Sequence, residues 1–596
     1  MINIFVGWLL LLIPFLLIFC WPDRLRGFIY ILVAASAFHL VIALTTQFFH
    51  IFSYPLILIL NIIMAGTVIF LLIKRAKKIS FKIKFNWLIL LAFGIIILEL
   101  GSVHYFYSGS ASTIDGYQMV DRISYPYPYF SDEWIGVALT NHSIASQSLP
   151  TVNPLINGSG HENIPNIFIA FFSVLSELFL LLNLNPLTGY PILALGAGSL
   201  ICLLSYILLR KNQVGPFFSA LGALTIPYIV NSQNLAGLWY LLPFIGGIIL
   251  FLTSLIALST RDRYLAWLNG GLALLLYPPL VVFIAPVIII DLWFDSKIKI
   301  ADRLGRAFWG LLIIGGIAGL IIILQRSSFN NLANLFNSYL TYQTLDHGIP
   351  SFAPWIVVPG IILPFALLGF IRLWQKRIFW LLIPLLTGFL FWIIYSRSLY
   401  LFIIGYDRVV VITSLLIIIS AAYGGDWLVS KITAKFPKLV ETNFKRQIQV
   451  FCLAIFFLLA WSYTQQSNWS KLMLTVTTPN GKMLVKPLAP ATLFLSEDDR
   501  QLFKKRPKRR FISPPWKGLT IGAATGLYPL DSKESILTNH ILNYDFFRQQ
   551  NCEEKESLAQ LYDLVYVYSP KFTCKNFTEL GISDEGLHLY KYKPSL

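Results

Sequence analysis

Apolar segments long enough to cross a bilayer recur through the first 465 residues, and only one long polar stretch, residues 105–165, interrupts them. No feature limits the fold more. Inside hydrocarbon no water satisfies backbone N–H and C=O groups, so such segments must become helices, and each crossing takes roughly 20 residues. Hydrophobic residues make up 56% of the chain and charged residues 13%, where soluble domains carry about 25% charged residues. The class is a polytopic α-helical membrane protein. The first apolar stretch, INIFVGWLLLLIPFLLIFCW, lacks the basic leader and small-residue cleavage site of a signal peptide, so it is expected to be a retained span.

A formal charge of +17 invites a nucleic-acid reading, but the distribution of charge excludes the need for one. Basic residues group in alternate loops: Arg24 and Arg26, residues 74–84, Arg210 and Lys211, Arg261 and Arg263, then residues 297–306, 372–377 and 431–446. The opposite loops hold only Arg122, Arg326, Arg397 and Arg408. By the positive-inside rule the first set is cytoplasmic, which puts residues 105–165 on the outer side.

In chain order, residues 1–105 are expected to hold four spans (3–21, 27–49, 54–73 and 87–105), and residues 106–165 to form a large extracytoplasmic loop. Parity of the basic loops then allows one crossing between 166 and 209, so 167–184 is expected to dip into the outer leaflet and 192–209 to span. Within a core of residues 166–465, spans follow at 217–230, 235–258, 264–276, 280–292, 308–324, 354–373, 379–395, 400–423 and 448–461, giving about fourteen crossings. Residues 466–596 read as a small α/β domain outside the membrane, with strands expected in GLTIGAATG, DLVYVYS and GLHLYKY. The basic run at 500–510 argues for a cytoplasmic tail, but long translocated domains largely escape the charge rule. Cys20, Cys202 and Cys452 lie in apolar segments; Cys552 and Cys574, in the tail, can pair if that tail meets an oxidising compartment.

Two adjacent carboxylates, Asp132 and Glu133, stand in the outer loop. Mutual repulsion and desolvation at a membrane boundary favour a proton-accepting role for one of them. Alternatively, Ser131 and Asp132 cap a surface helix starting near Trp134. Asp115, Asp121 and Arg122 either line an acceptor cleft or are solvated. His142 stands alone, with no His/Cys cluster at metal-binding spacing. Glu99 and Glu177 lie within apolar segments, where an ionisable group suggests function or a hydrogen bond between helices.

An acidic pair opening the large outer loop, then a helix, then Leu149-Pro150-x-x-Asn153-Pro154, resembles the polyprenyl-phosphate-dependent membrane glycosyltransferases of the GT-C superfamily, aminoarabinose transferase-like and protein mannosyltransferase-like enzymes among them. LNGGLALLLYPPLVVFIAPVIII is similar to the family's Gly-rich span, and GYDRVVVITSLLIIISAAYG to a late one. The resemblance implies a plasma- or inner-membrane enzyme whose partners are a polyprenyl-phosphate-sugar donor and a glycan, lipid or protein acceptor. It makes Asp132 the base that activates an acceptor hydroxyl or amine, with Glu133 assisting or helping to hold a divalent metal, whose presence stays open. Arg326, Arg397 and Arg408 are then the candidate cations for the departing phosphate, with a structural pairing to Asp407 as the alternative for Arg408 and interfacial anchoring as that for Arg326 and Arg397. Glu177 would face the phosphate-sugar region, and Asp115 and His142 the substrate cleft. There are two departures: three additional spans precede the acidic loop, and Tyr277 stands where the family often has lysine. The rival class is a lipid-linked-sugar flippase, which should show pseudo-symmetric halves with broken helices at the midplane; the sequence shows no such duplication.

Overall fold

The computed structural model describes all residues except 1, 22, 75–86, 106, 114–115, 124, 129, 152, 157–165, 230–237, 294–352, 398–403, 436–472, 478–482, 488–490, 493–494, 505, 515–516, 531–545, 547–550, 584–585 and 594–596. Helices α1 (Ile2–Leu12), α2 (Arg24–Phe48), α3 (Tyr54–Lys74) and α4 (Trp87–Tyr105) precede the polar stretch, which contains α5 (Ser131–Ser146). Then come α6 (Ile169–Leu181), α7 (Pro186–Lys211), α8 (Pro216–Thr225), α9 (Pro243–Ser259), α10 (Arg263–Leu276), α11 (Val281–Trp293), α12 (Leu363–Gln375), α13 (Phe379–Arg397) and α14 (Tyr406–Lys435). Their starts follow local chemistry. Asp23, Asn185 and Asp262 each accept a hydrogen bond from an early helical amide of α2, α7 and α10, and proline opens α7, α8 and α9, where its missing N–H costs no intrahelical bond.

Among the described residues five helices (α2, α3, α7, α13 and α14) are long and apolar enough to cross a membrane. That is fewer than the fourteen or so expected of the whole chain, part of which lies outside the described residues. Spans expected at 308–324 and 448–461, and the outer loop at 325–352, lie outside the described residues. Several others exist as shorter helices: α10 has 14 residues, and α6, α11 and α12 have 13 each. At about 1.5 Å per residue these reach roughly 20 Å, against a hydrocarbon thickness of about 30 Å. The segment expected to dip, 167–184, is α6, too short to cross by itself.

The two ends of the bundle differ in charge. At one end Lys211, closing α7, pairs with Asp23 before α2, and Arg26 meets Asp262 before α10 at 3.1 Å. Asp426, late in α14, packs on Gly215 before α8. At the other end, the first turns of α7 and α14 approach α5. The axis is α14, buried at every position from Val409 to Gly425. It crosses α12 so closely that a Cβ on Gly369 would stand 1.8 Å from the Ser420 carbonyl oxygen, and one on Gly424 would stand 2.0 Å from that of Phe365. Only hydrogen fits at either place. Gly369→Ala is therefore expected to destabilise the protein by about 1–3 kcal/mol through overpacking, measured as an earlier thermal unfolding transition; unchanged melting would mean that the crossing opens freely.

The polar stretch also forms strands β1 (Tyr107–Thr113) and β2 (Gly116–Ile123), paired antiparallel, with β5 (Ala491–Thr492) parallel to β1. β3 (Met473–Thr477) and β4 (Met483–Pro487) make a separate hairpin. The C-terminal sheet, of order β7-β6-β8-β10-β9, joins β6 (Arg510–Ile512), β7 (Tyr528–Pro529), β8 (Tyr566–Ser569), β9 (Phe577–Ile582) and β10 (His588–Tyr592). Around it lie α15 (Glu497–Phe503), α16 (Lys517–Thr525) and α17 (Cys552–Leu561).

Two of the three expected strands are present, as β8 and β10. The third, GLTIGAATG, is instead helix α16. Its small residues serve close packing: a Cβ on Gly522 would meet Leu155 at 2.9 Å. Cys552 and Cys574 form a disulfide. Lys517 and Asp499, both buried, pair at 2.6 Å, and the Tyr568 hydroxyl donates to the same carboxylate, locking α15, α16 and β8 together. The unit seats on the polar stretch: Leu495 N–H donates to the Tyr125 hydroxyl at 3.0 Å, and the Tyr127 hydroxyl donates to Glu497 at 3.2 Å.

Candidate active site

The site begins where α5 begins. Phe130 is extended (φ −94°, ψ 142°) and has no side-chain acceptor to offer the first amides, so neither Ser131 nor Asp132 is the cap; they are the first two helical residues. Glu133, three residues after the cap, folds back and accepts the Phe130 N–H at 3.3 Å. Its other oxygen accepts the Leu241 N–H at 2.8 Å. Glu133 is 1% exposed, and a buried carboxylate needs such donors. It straps the start of α5 to the entrance of α9, a join reinforced by Phe130 stacking on Tyr240 at 5.0 Å.

Asp132 points elsewhere. Its side chain is 31% exposed, and Oδ2 lies 3.3 Å from Nη2 of Arg408. The expected repelling pair is thus separated, each carboxylate having its own compensating donors. Arg408, in the first turn of α14, also gives Nη1 to Asp407, and the Tyr277 side chain lies close to it. Its guanidinium carbon lies 5.4 Å from the centre of the Phe244 ring, in the first turn of α9. Tyr277 closes α10 and is held between Phe168, parallel at 5.5 Å, and the edge of Phe244.

The N-termini of α5, α9 and α14 therefore meet around one guanidinium. Each carries the partial positive charge of unsatisfied amides and an aligned helix dipole. Such an arrangement favours an anion, phosphate above all. Beneath it, the Tyr190 hydroxyl is buried with no partner among the described residues, and Gly136 makes room for it: a Cβ there would lie 1.9 Å away.

Other residues singled out in the sequence fall in different places. Arg397 ends α13, exposed; nearby Tyr395 donates to the Ile404 carbonyl and meets Tyr406 edge-on, so Arg397 is at the same end of the bundle as Arg408. His142 is exposed on α5, next to Asn141, whose amide donates to Ala523 at 3.4 Å. Glu177 is fully buried in α6, taking hydrogen bonds from His39 of α2 at 3.0 Å and Asn61 of α3 at 3.2 Å. Glu99 accepts from Tyr228. Asp115 and Arg326 lie outside the described residues.

A divalent metal does not fit the donors gathered here. Among the described residues no three His, Cys, Asp or Glu side chains cluster. Asp132 and Asp407 share Arg408, whose charge opposes a dication, and both Glu133 oxygens accept backbone amides.

No protein family and no curated protein matches the chain. Solved structures do. It is similar to the Archaeoglobus fulgidus oligosaccharyltransferase: the apo crystal structure has 13% identity and a TM-score of 0.44, covering 81% of this chain and 69% of that one. The oligosaccharyltransferase AglB from Archaeoglobus fulgidus in complex with an inhibitory peptide and a dolichol-phosphate has 14% identity and a TM-score of 0.42, again covering 81% and 69%. The form tethered to an acceptor peptide containing the NVT sequon has 14% identity and a TM-score of 0.43, covering 86% and 74%. Values of this size leave the argument about chemistry to the site's own residues.

Several of those residues have no signature in the sequence. Leu241 contributes a backbone amide, Phe244 an aromatic face and Gly136 an absence of side chain, all within segments that read only as apolar. Two signals were present: a glutamate three residues into a helix, where it can fold back on the cap, and Tyr277 directly before Pro278-Pro279.

Proposed function

We propose that this chain is a GT-C-type membrane glycosyltransferase that moves a sugar from a polyprenyl-phosphate carrier to an acceptor hydroxyl or amine on the extracytoplasmic side. The observation that carries the reading is the meeting of a partly exposed Asp132 with Arg408 at three converging helix N-termini. In the reaction, the acceptor oxygen or nitrogen attacks the anomeric carbon from the face opposite the phosphate while Asp132 takes its proton. The bond between that carbon and the phosphate oxygen breaks, its electron pair stays with the phosphate, and the sugar is inverted.

A hydroxyl is a poor nucleophile until its proton begins to leave, which is where a carboxylate helps. The growing phosphate charge is met by fixed donors that need no reorganisation. A guanidinium has five N–H donors, so Arg408 can hold Asp132 and Asp407 and still reach a phosphate oxygen. Arg397 and Arg326 are the further cations of this reading, Asp115 and His142 belong to its acceptor side, and Glu133 positions the helix that bears the base. The outer location is supported by the charge bias of the loops, which puts the Arg26–Asp262 end in the cytoplasm, and by the Cys552–Cys574 disulfide, a bond favoured in oxidising compartments.

The test is transfer by the purified full-length protein in nanodiscs, using a panel of radiolabelled polyprenyl-phosphate sugars with hydroxyl and amine acceptors. Release of polyprenyl phosphate together with labelled acceptor is expected. Movement of labelled lipid across liposomes with no donor cleaved would replace the enzyme with a flippase.

A further inference from the structure

The end of the bundle away from Asp132 carries a recess of about 230 Å³, lined by Arg26, Arg261, Asp262, Arg263, Tyr264 and Trp267. Its lining comes from chain segments more than two hundred residues apart, and Asp262 joins them. That carboxylate caps α10, pairs with Arg26 at 3.1 Å and accepts from the Tyr30 hydroxyl. The turn before it is fixed by the Arg261 and Asp262 amides, which return to Leu258 and Ala257 at 3.0 and 2.9 Å, so the backbone that carries the arginines is held in place. Three arginines and one carboxylate thus line it, a basic set of side chains at the start of α10. The mouth is amphipathic: Tyr264 is 84% exposed and Leu268, one helical turn further along α10, is 50% exposed, so an apolar track descends from the basic recess.

We infer that this recess binds the phosphate of an anionic phospholipid at the cytoplasmic leaflet, its acyl chain lying along Tyr264 and Leu268. A phosphodiester suits the arginine fork, basic pockets between spans on this side take anionic headgroups, and the exposed Tyr264 ring suits the interface. The exposed Tyr264–Leu268 face favours a lipid over a free anion, which would gain nothing from it. The site is separate from the proposed chemistry and rests on the proposed reading only for its orientation, taken from the charge bias of the loops.

The test uses full-length protein, delipidated in detergent and titrated with phosphatidylglycerol, phosphatidylcholine or inorganic phosphate, with occupancy read by native mass spectrometry. Wild type is expected to retain phosphatidylglycerol in preference to phosphatidylcholine. Arg261→Gln/Arg263→Gln should weaken retention about twenty-five-fold, from about fivefold per basic side chain near an anionic lipid, and Arg261→Lys/Arg263→Lys should restore most of it. Limited proteolysis guards against misfolding, because an unfolded Gln pair would be digested where a folded one keeps the wild-type pattern, and the Lys pair tests whether charge alone carries the binding. Equal retention by wild type and a folded Gln pair overturns the inference. So does arginine-dependent binding of inorganic phosphate with no preference for phosphatidylglycerol, which would make the recess a site for a soluble anion.

Discussion

Asp132→Asn is expected to lower kcat for sugar transfer by about 10²–10⁴-fold, the usual worth of a positioned general base, with melting close to that of wild type. Asparagine keeps the shape and still accepts from Arg408. A partly exposed pair of this kind contributes only about 0–1 kcal/mol to stability, and Asp132 is 31% exposed. The neighbouring residue provides the contrast. Glu133→Gln directs an amide group at one of two backbone N–H donors in a dry site, a loss of about 1–3 kcal/mol, so it should melt earlier yet retain more turnover per folded molecule. Normal transfer by Asp132→Asn, alongside a dead but fully stable Glu133→Gln, would exchange the two assignments.

Arg408→Gln is expected to cost about 10²–10³-fold in kcat, the range seen when one fixed donor to a developing anion is removed. It should also destabilise the protein, because Asp407 loses its partner. Arg408→Lys separates the two effects. A lysine keeps the charge but not the planar fork that reaches Asp407 and Asp132 together, so the variant should fold well and turn over at an intermediate rate. In the double variant Asp132→Asn/Arg408→Gln the losses should fall well short of multiplying, as happens for groups acting as one unit. Fully multiplicative losses would show that the two side chains act on separate steps.

Much of the membrane part was legible in the sequence because hydrocarbon imposes a simple rule on composition: α2, α3, α7 and α13 fall close to the apolar runs, and the paired loops Asp23/Lys211 and Arg26/Asp262 lie together, as the charge alternation requires. Helix α14 was legible but begins six residues later than its apolar run, at Tyr406 rather than 400. The acidic pair drew attention to the start of α5, and Arg408, one of three cations offered to it, is the one that meets Asp132. What separates Asp132 from Glu133 was not legible. The difference is one step around a helix whose first residue depends on Phe130 packing against Tyr240, a contact 110 residues away in the chain. Helix α16 was misread because Thr520, Ile521 and Thr525 favour strands, whereas its glycine and alanine face decided the outcome by packing on Leu155. Glu177 stood out as an ionisable group in an apolar segment; its position was set by His39 and Asn61, which nothing local to it announces.

The seam between α12 and α14 limits how this machine can move. A helix that meets its neighbour through bare backbone at Gly369 and Gly424 has no slack to roll or slide, and α14, 30 residues and about 45 Å long, is clasped there over its middle. The arginine at its tip is consequently a stationary anvil. In the proposed reaction a carrier lipid would travel to it sideways through the leaflet, and whatever opens and shuts would belong to lighter pieces of the chain than this central rod.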